Sequence, residues 1–171
     1  MNDFFVTESL LTYNDIDLSI QNSSEVTPLM LLLRNYKEYQ SEKEEAFEHI
    51  HALVIYRPES NYKNPMFVRD GYGNTAYHFA CMQGSLKNIV ELALYGGAIY
   101  AQDNNGRTGE DKLADVPESR FKNKERFEAF GDIMDHIYNS YNEFYNRNTD
   151  TGRAELQKAL QTGRNLIKMN A

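Results

Sequence analysis

The sequence predicts an all-α fold: a stack of about three short helix–turn–helix repeats, followed by a helical C-terminal extension. Three observations predict it. The hexapeptide Asp70-Gly71-Tyr72-Gly73-Asn74-Thr75 returns 33 residues later as Asp103-Asn104-Asn105-Gly106-Arg107-Thr108, with aspartate, glycine and threonine in register. A weaker copy, Asn22-Ser23-Ser24-Glu25-Val26-Thr27, lies upstream. After Pro117, Phe127, Phe130, Ile133, Met134, Ile137, Tyr141 and Phe144 fall on one stripe at helical spacing. Self-similarity at a fixed period marks units that bury their apolar faces on one another.

The residues after each copy complete the unit. Thr27 leads into Pro28-Leu29-Met30-Leu31-Leu32-Leu33, and Thr75 into Ala76-Tyr77-His78-Phe79-Ala80-Cys81-Met82-Gln83-Gly84. The chain thereby resembles the ankyrin-repeat family. That pattern is a β-turn, then T-P-L-H-x-A opening a short helix, a glycine, a second helix and the next turn, with a period near 33. The middle unit carries the match through Gly73, Thr75, His78, Ala80, Gly84, Leu86, the Ile89-Val90 pair and Gly96-Gly97-Ala98. The resemblance covers about residues 15–114 and implies an ankyrin-repeat solenoid over 1–116, with 117–171 as a helical cap or extension.

The departures are informative. Thr27 and Thr75 are 48 residues apart, 15 more than one period, so insertions are expected around 36–43 and 57–67. Ile89-Val90 lies one place later than the pattern would put it. After Thr108 the third copy fades, with Gly109, Glu110 and Asp111 where proline, leucine and histidine are expected. Terminal repeats are often atypical because one face meets water or a cap.

Taken in order, Phe4 to Leu11 reads as a short helix that starts the stack, and residues 15–20 align with 96–101. Thr27-Pro28 is a helix start, since the hydroxyl caps free N–H groups and proline suits the first helical position. The leucines beyond it make that helix apolar nearly all round, so it should be sandwiched. Ala46, Phe47, Ile50, Leu53 and Val54 predict a helix over 42–56 that ends before Pro58. Helices at 77–83 and 86–95 form the next pair, with Gly96-Gly97 as the stop. A helix is expected over 118–145 and a last one around 156–167, weakened by Gly163.

Composition bounds the function. The formal charge of −7 disfavours nucleic acid and anionic membranes, both of which need a basic footprint. It is either a solubility device or the complement of a basic partner. No apolar run approaches the ~20 residues that span a bilayer, and the N-terminus lacks the features of a signal peptide. The single cysteine, Cys81, cannot form an internal disulfide and reads as a packing residue. A cytoplasmic monomer is expected; secretion without a cleaved signal remains open.

Several constellations could carry chemistry. Gly71-Tyr72-Gly73-Asn74-Thr75-Ala76 fits G-x-G-x-x-A, with Glu91 some 20 residues on, formally a dinucleotide fingerprint. The motif needs a preceding parallel strand and a long helix, whereas here the helix should stop at Gly84. Glu45, Glu48, His49 and His51 cluster on one helix and read as a solvated face, because His49 and His51 do not share a side. His136 reads as peripheral. Asp103-Asn104-Asn105 resembles the opening of a calcium loop, but Arg107 and Thr108 stand where a ligand and an obligatory glycine belong. No catalytic, cofactor-binding or metal-ligating residue is therefore assigned.

The expected function is non-catalytic protein binding, as an effector or adaptor, or as an inhibitor such as an immunity protein that occludes a toxin. The alternative is an enzyme with an unrecognised site among the insertion loops and the C-terminal helices. The resemblance implies a concave contact surface made by turn tips and first helices. Its implied partner-binding residues are Glu25, Arg34 and Asn35 in the first unit, Tyr72, Asn74, Met82 and Gln83 in the second, and Asn105 and Arg107 in the third. It also implies that His78 hydrogen-bonds between neighbouring turns.

Overall fold

The computed structural model describes residues 16–35, 49–54, 64–95, 97–117, 131–132, 134–135 and 137–139. All regular structure among these residues is helical. The chain divides into two compact units, Met1–Val116 and Pro117–Ala171.

The first unit contains, in order, α1 (Pro28–Asn35), α2 (49–54), a 3-10 turn (Pro65–Phe67), α3 (Ala76–Gln83), α4 (Leu86–Leu94) and α5 (Gly109–Ala114). In α1 the Thr27 hydroxyl accepts the Met30 N–H at 3.3 Å, which satisfies one of the free donors of the first turn. Leu29, Met30 and Leu33 are buried, but Leu31 is exposed. The helix therefore buries one face and is not sandwiched on all sides. The 3-10 turn begins where the Asn64 carboxamide accepts the Met66 N–H at 3.0 Å, and it buries Pro65 and Met66.

Helix α3 is the centre of the unit. It packs on α1, α4, α5 and the 3-10 turn, and every residue from Ala76 to Cys81 is buried. It stops at Gly84, whose φ of 66° is left-handed. The Gly84 N–H bonds to the Cys81 carbonyl at 3.0 Å and the Ser85 N–H to the Ala80 carbonyl at 3.3 Å. These are the paired bonds of a Schellman stop. Helix α4 buries Leu86, Ile89, Val90, Leu92 and Ala93.

Helix α5 is only six residues long. Gly109 has a packing reason. A Cβ there would lie 2.6 Å from the Tyr77 ring and 3.0 Å from the Cys81 sulfur, so its absence lets α5 approach α3.

In the second unit, residues 131–132, 134–135 and 137–139 are helical, and Met134 and Ile137 are buried. The expected positions of Phe127, Phe130, Ile133, His136, Tyr141 and Phe144, of the helix at 4–11, of the last helix and of the insertion at 36–43 lie outside the described residues. So do the rest of the 42–56 helix and Glu45 and Glu48.

Candidate functional site: three equivalent turn tips

Each copy of the hexapeptide folds into the same hydrogen-bonded turn. In the middle copy the Asp70 N–H bonds to the Asn74 carbonyl at 2.9 Å, and the Gly73 N–H to the Asp70 carbonyl at 2.9 Å. The Asp70 carboxylate accepts the N–H groups of Tyr72 at 3.0 Å and Asn74 at 2.7 Å. In the third copy Asp103 repeats these bonds with Arg107, Gly106 and Asn105. In the first, Asn22 repeats them with Val26, Glu25 and Ser24. The short side-chain acceptor at the first position thus organises its own turn.

The fourth position of each turn has positive φ: 57° at Glu25, 81° at Gly73 and 76° at Gly106. The weak upstream copy therefore keeps the full geometry, with Glu25 in a conformation that favours glycine.

Neighbouring turns are stitched together by the residue that precedes each copy. The Gln21 amide donates to the Arg69 carbonyl at 2.8 Å and to the carbonyl of Glu25 in its own turn. The Arg69 guanidinium repeats this one repeat later. It donates to the Gln102 carbonyl at 2.5 Å and to the carbonyl of Gly73 in its own turn at 3.2 Å. Asn104 adds two bonds back to the middle turn, from its N–H to the Tyr72 carbonyl and from its side chain to the Gly71 carbonyl. Gly73 makes this approach possible, since a Cβ there would lie 2.5 Å from the Asn104 side chain.

The helix starts below the second and third turns share one plan. The Thr75 N–H donates to Nδ1 of His78 at 3.1 Å, and Nε2 of His78 lies 3.1 Å from the Arg107 carbonyl. Accepting at Nδ1 puts the proton on Nε2, which donates to the next turn. Burial lowers the His78 pKa, which keeps the ring neutral. In the third unit Asp111 takes the corresponding place and accepts the Thr108 N–H at 2.8 Å. The residue that departs from the repeat pattern keeps its capping role. That contact holds the Asp111 pKa below the usual range.

The structure separates the nine expected contact residues. Glu25, Arg34, Asn35, Tyr72 and Asn105 are exposed, and Met82 and Gln83 are partly exposed. Tyr72 is 76 % exposed. Asn74 is a correction: it is 6 % exposed, and its amide donates to the Asp70 carboxylate at 3.1 Å. It belongs to the turn and not to its surface. Arg107 is half engaged, donating to the Asp111 carbonyl at 2.7 Å and pairing with Asp115 at 2.5 Å.

The residues weighed for chemistry are occupied. Asp103 is buried and receives the Arg107 and Asn105 N–H groups and the Lys112 ammonium, the last at 2.7 Å. These contacts, led by Lys112, hold its pKa down to about 2. Glu91 is 3 % exposed and contacts His51, and Gly71–Ala76 is preceded by residues without regular structure, not by a strand. His51 thus pairs across elements while its side chain stays partly exposed. Burial pushes the Cys81 thiol up. Among the described residues no three His, Cys, Asp or Glu side chains converge as a metal site, and no helix is long and apolar enough to cross a membrane.

Sequence reasoning missed Gln21, Arg69, Asn104 and Lys112. Only Gln21 and Arg69 left a signal: long polar residues stand immediately before all three copies, Gln102 being the third. Comparison with known proteins gives no match to a family model, a curated protein or a solved structure.

Proposed function

We propose that this chain is a non-catalytic protein-binding module of the ankyrin-repeat type, with about three repeats and a helical C-terminal extension. It binds a protein partner through turn tips and first helices. The role is that of an effector or adaptor, or of an inhibitor such as an immunity protein. The observation that carries the reading is the stitched row of turns. Three loops share one bond set and are tied to each other by Gln21, Arg69 and Asn104. A rigid row of loops loses little conformational entropy on binding.

The contact residues in this reading are Glu25, Arg34, Asn35, Tyr72, Met82, Gln83, Asn105 and Arg107, without Asn74. Tyr72 is the anchor, because exposed tyrosines in interfaces are frequent hot spots. Affinity capture from the native cell with mass spectrometry identifies the partner. Tyr72→Ala should then weaken binding about tenfold or more while stability changes by less than about 0.5 kcal/mol. A Tyr72→Ala protein that binds its partner normally, while truncation after Val116 abolishes binding, would move the function to the extension.

A further inference from the structure

We propose that His51 and Glu91 form a proton-operated clasp between α2 and α4, tightest when the His51 ring is protonated. Nδ1 of His51 contacts a carboxylate oxygen of Glu91, 40 residues further on. The two ends differ in exposure: the Glu91 side chain is 4 % exposed and that of His51 is 34 % exposed. Solvent protons therefore reach the base while the acid stays in the interior.

A buried carboxylate needs a compensating charge, and leaving it without one is costly. An imidazolium supplies that charge together with a hydrogen bond. A neutral imidazole supplies at most the hydrogen bond, which is roughly half as strong. Tyr95, one helical turn beyond Glu91, meets the His51 ring edge-on with centroids 5.9 Å apart, and this contact orients the ring towards the carboxylate.

Among the described residues, the other titratable groups of these elements are Lys87, one turn before Glu91 on α4, and His49 on α2. Helix α3, which packs on α4, carries Tyr77, His78 and Cys81. Both ring nitrogens of His78 are engaged, with Thr75 and with Arg107. The sign is set by the charge of the pair. A histidine that gains a carboxylate partner on folding adds stability that is complete at low pH. That stability is lost as the ring gives up its proton with rising pH. With the ring neutral, α2 is held to α4 less firmly.

The test is hydrogen exchange of the 49–54 amides at about pH 5.5 and about pH 8, corrected for intrinsic rates, in the full chain and in Glu91→Gln. The clasp predicts that protection in the parent falls roughly five-fold over this range and stays level in Glu91→Gln. The comparison cancels contributions from other histidines. Level protection in the parent, or an equal fall in both proteins, overturns the proposal. If Glu91→Gln does not fold, His51→Gln replaces it; this variant keeps an amide donor without a titration and should also give a level profile.

Discussion

Nε2 of His78 lies 3.1 Å from the carbonyl oxygen of Arg107, 29 residues further on. One ring thereby caps its own helix through Nδ1 and holds the next turn through Nε2. The Nδ1 bond, in which the ring accepts, requires the neutral ring, and burial lowers its pKa. The sign is opposite to that of His51. A base whose folded pKa lies below its unfolded value contributes stability that is present above the unfolded pKa, near ~6.5. That stability is lost as pH falls through the window below it. Urea unfolding of His51→Gln should therefore show stability falling from pH 7 to pH 5, and adding His78→Gln should remove the slope. His78→Ala at pH 7 should cost about 2–3 kcal/mol, from two buried hydrogen bonds.

The positive-φ positions of the three turns separate conformational from packing effects. Gly106 has open space where a Cβ would stand, whereas at Gly73 the Cβ would collide with Asn104. Gly106→Ala should cost about 1 kcal/mol, the left-handed penalty alone. Gly73→Ala should cost about 3 kcal/mol, because the inter-turn contact is also forced apart. Glu25→Gly should be neutral or stabilise by up to about 1 kcal/mol. Denaturant midpoints at constant m-value give all three.

Asn88 is fully buried and neither its amide nitrogen nor its oxygen has a hydrogen-bond partner among the described residues; the Ser85 hydroxyl, one turn earlier, has none either. It stands one place before the apolar Ile89-Val90 pair. A buried unsatisfied amide costs about 1–3 kcal/mol. Asn88→Val should therefore raise the unfolding free energy by about 1 kcal/mol, which thermal or urea unfolding measures. A loss of stability would show that the amide carries a bond in solution.

Cys81 is buried against Gly109 on α5, and burial pushes its thiol up. Reaction with a thiol reagent such as Ellman's should proceed only at the rate of opening of the α3–α5 contact. Gly109→Ala forces that contact apart. It should cost about 1–3 kcal/mol and speed labelling in parallel. Rapid labelling of the folded parent protein would contradict the packing.

Several features were determined by the sequence alone, because each rests on bonds a short segment makes to itself. Asp70 and Asp103 organise turns from their own side chains. Thr27 and Thr108 cap the helices that begin after them, and Gly84 ends α3 with a left-handed residue. These bonds reach no further than five residues along the chain, so composition and spacing reveal them. Other features were decided only by tertiary structure, because their partners are tens of residues away or lie on an element whose placement the segment cannot specify. Arg107 looked free until α5 brought Asp115 to it. His51 looked solvated until α4 supplied Glu91, and Arg69 carried no visible role until the next turn offered it the Gln102 carbonyl. A side chain's local pattern records what its own segment needs. Whether it then faces water or a neighbour depends on which segment folds beside it.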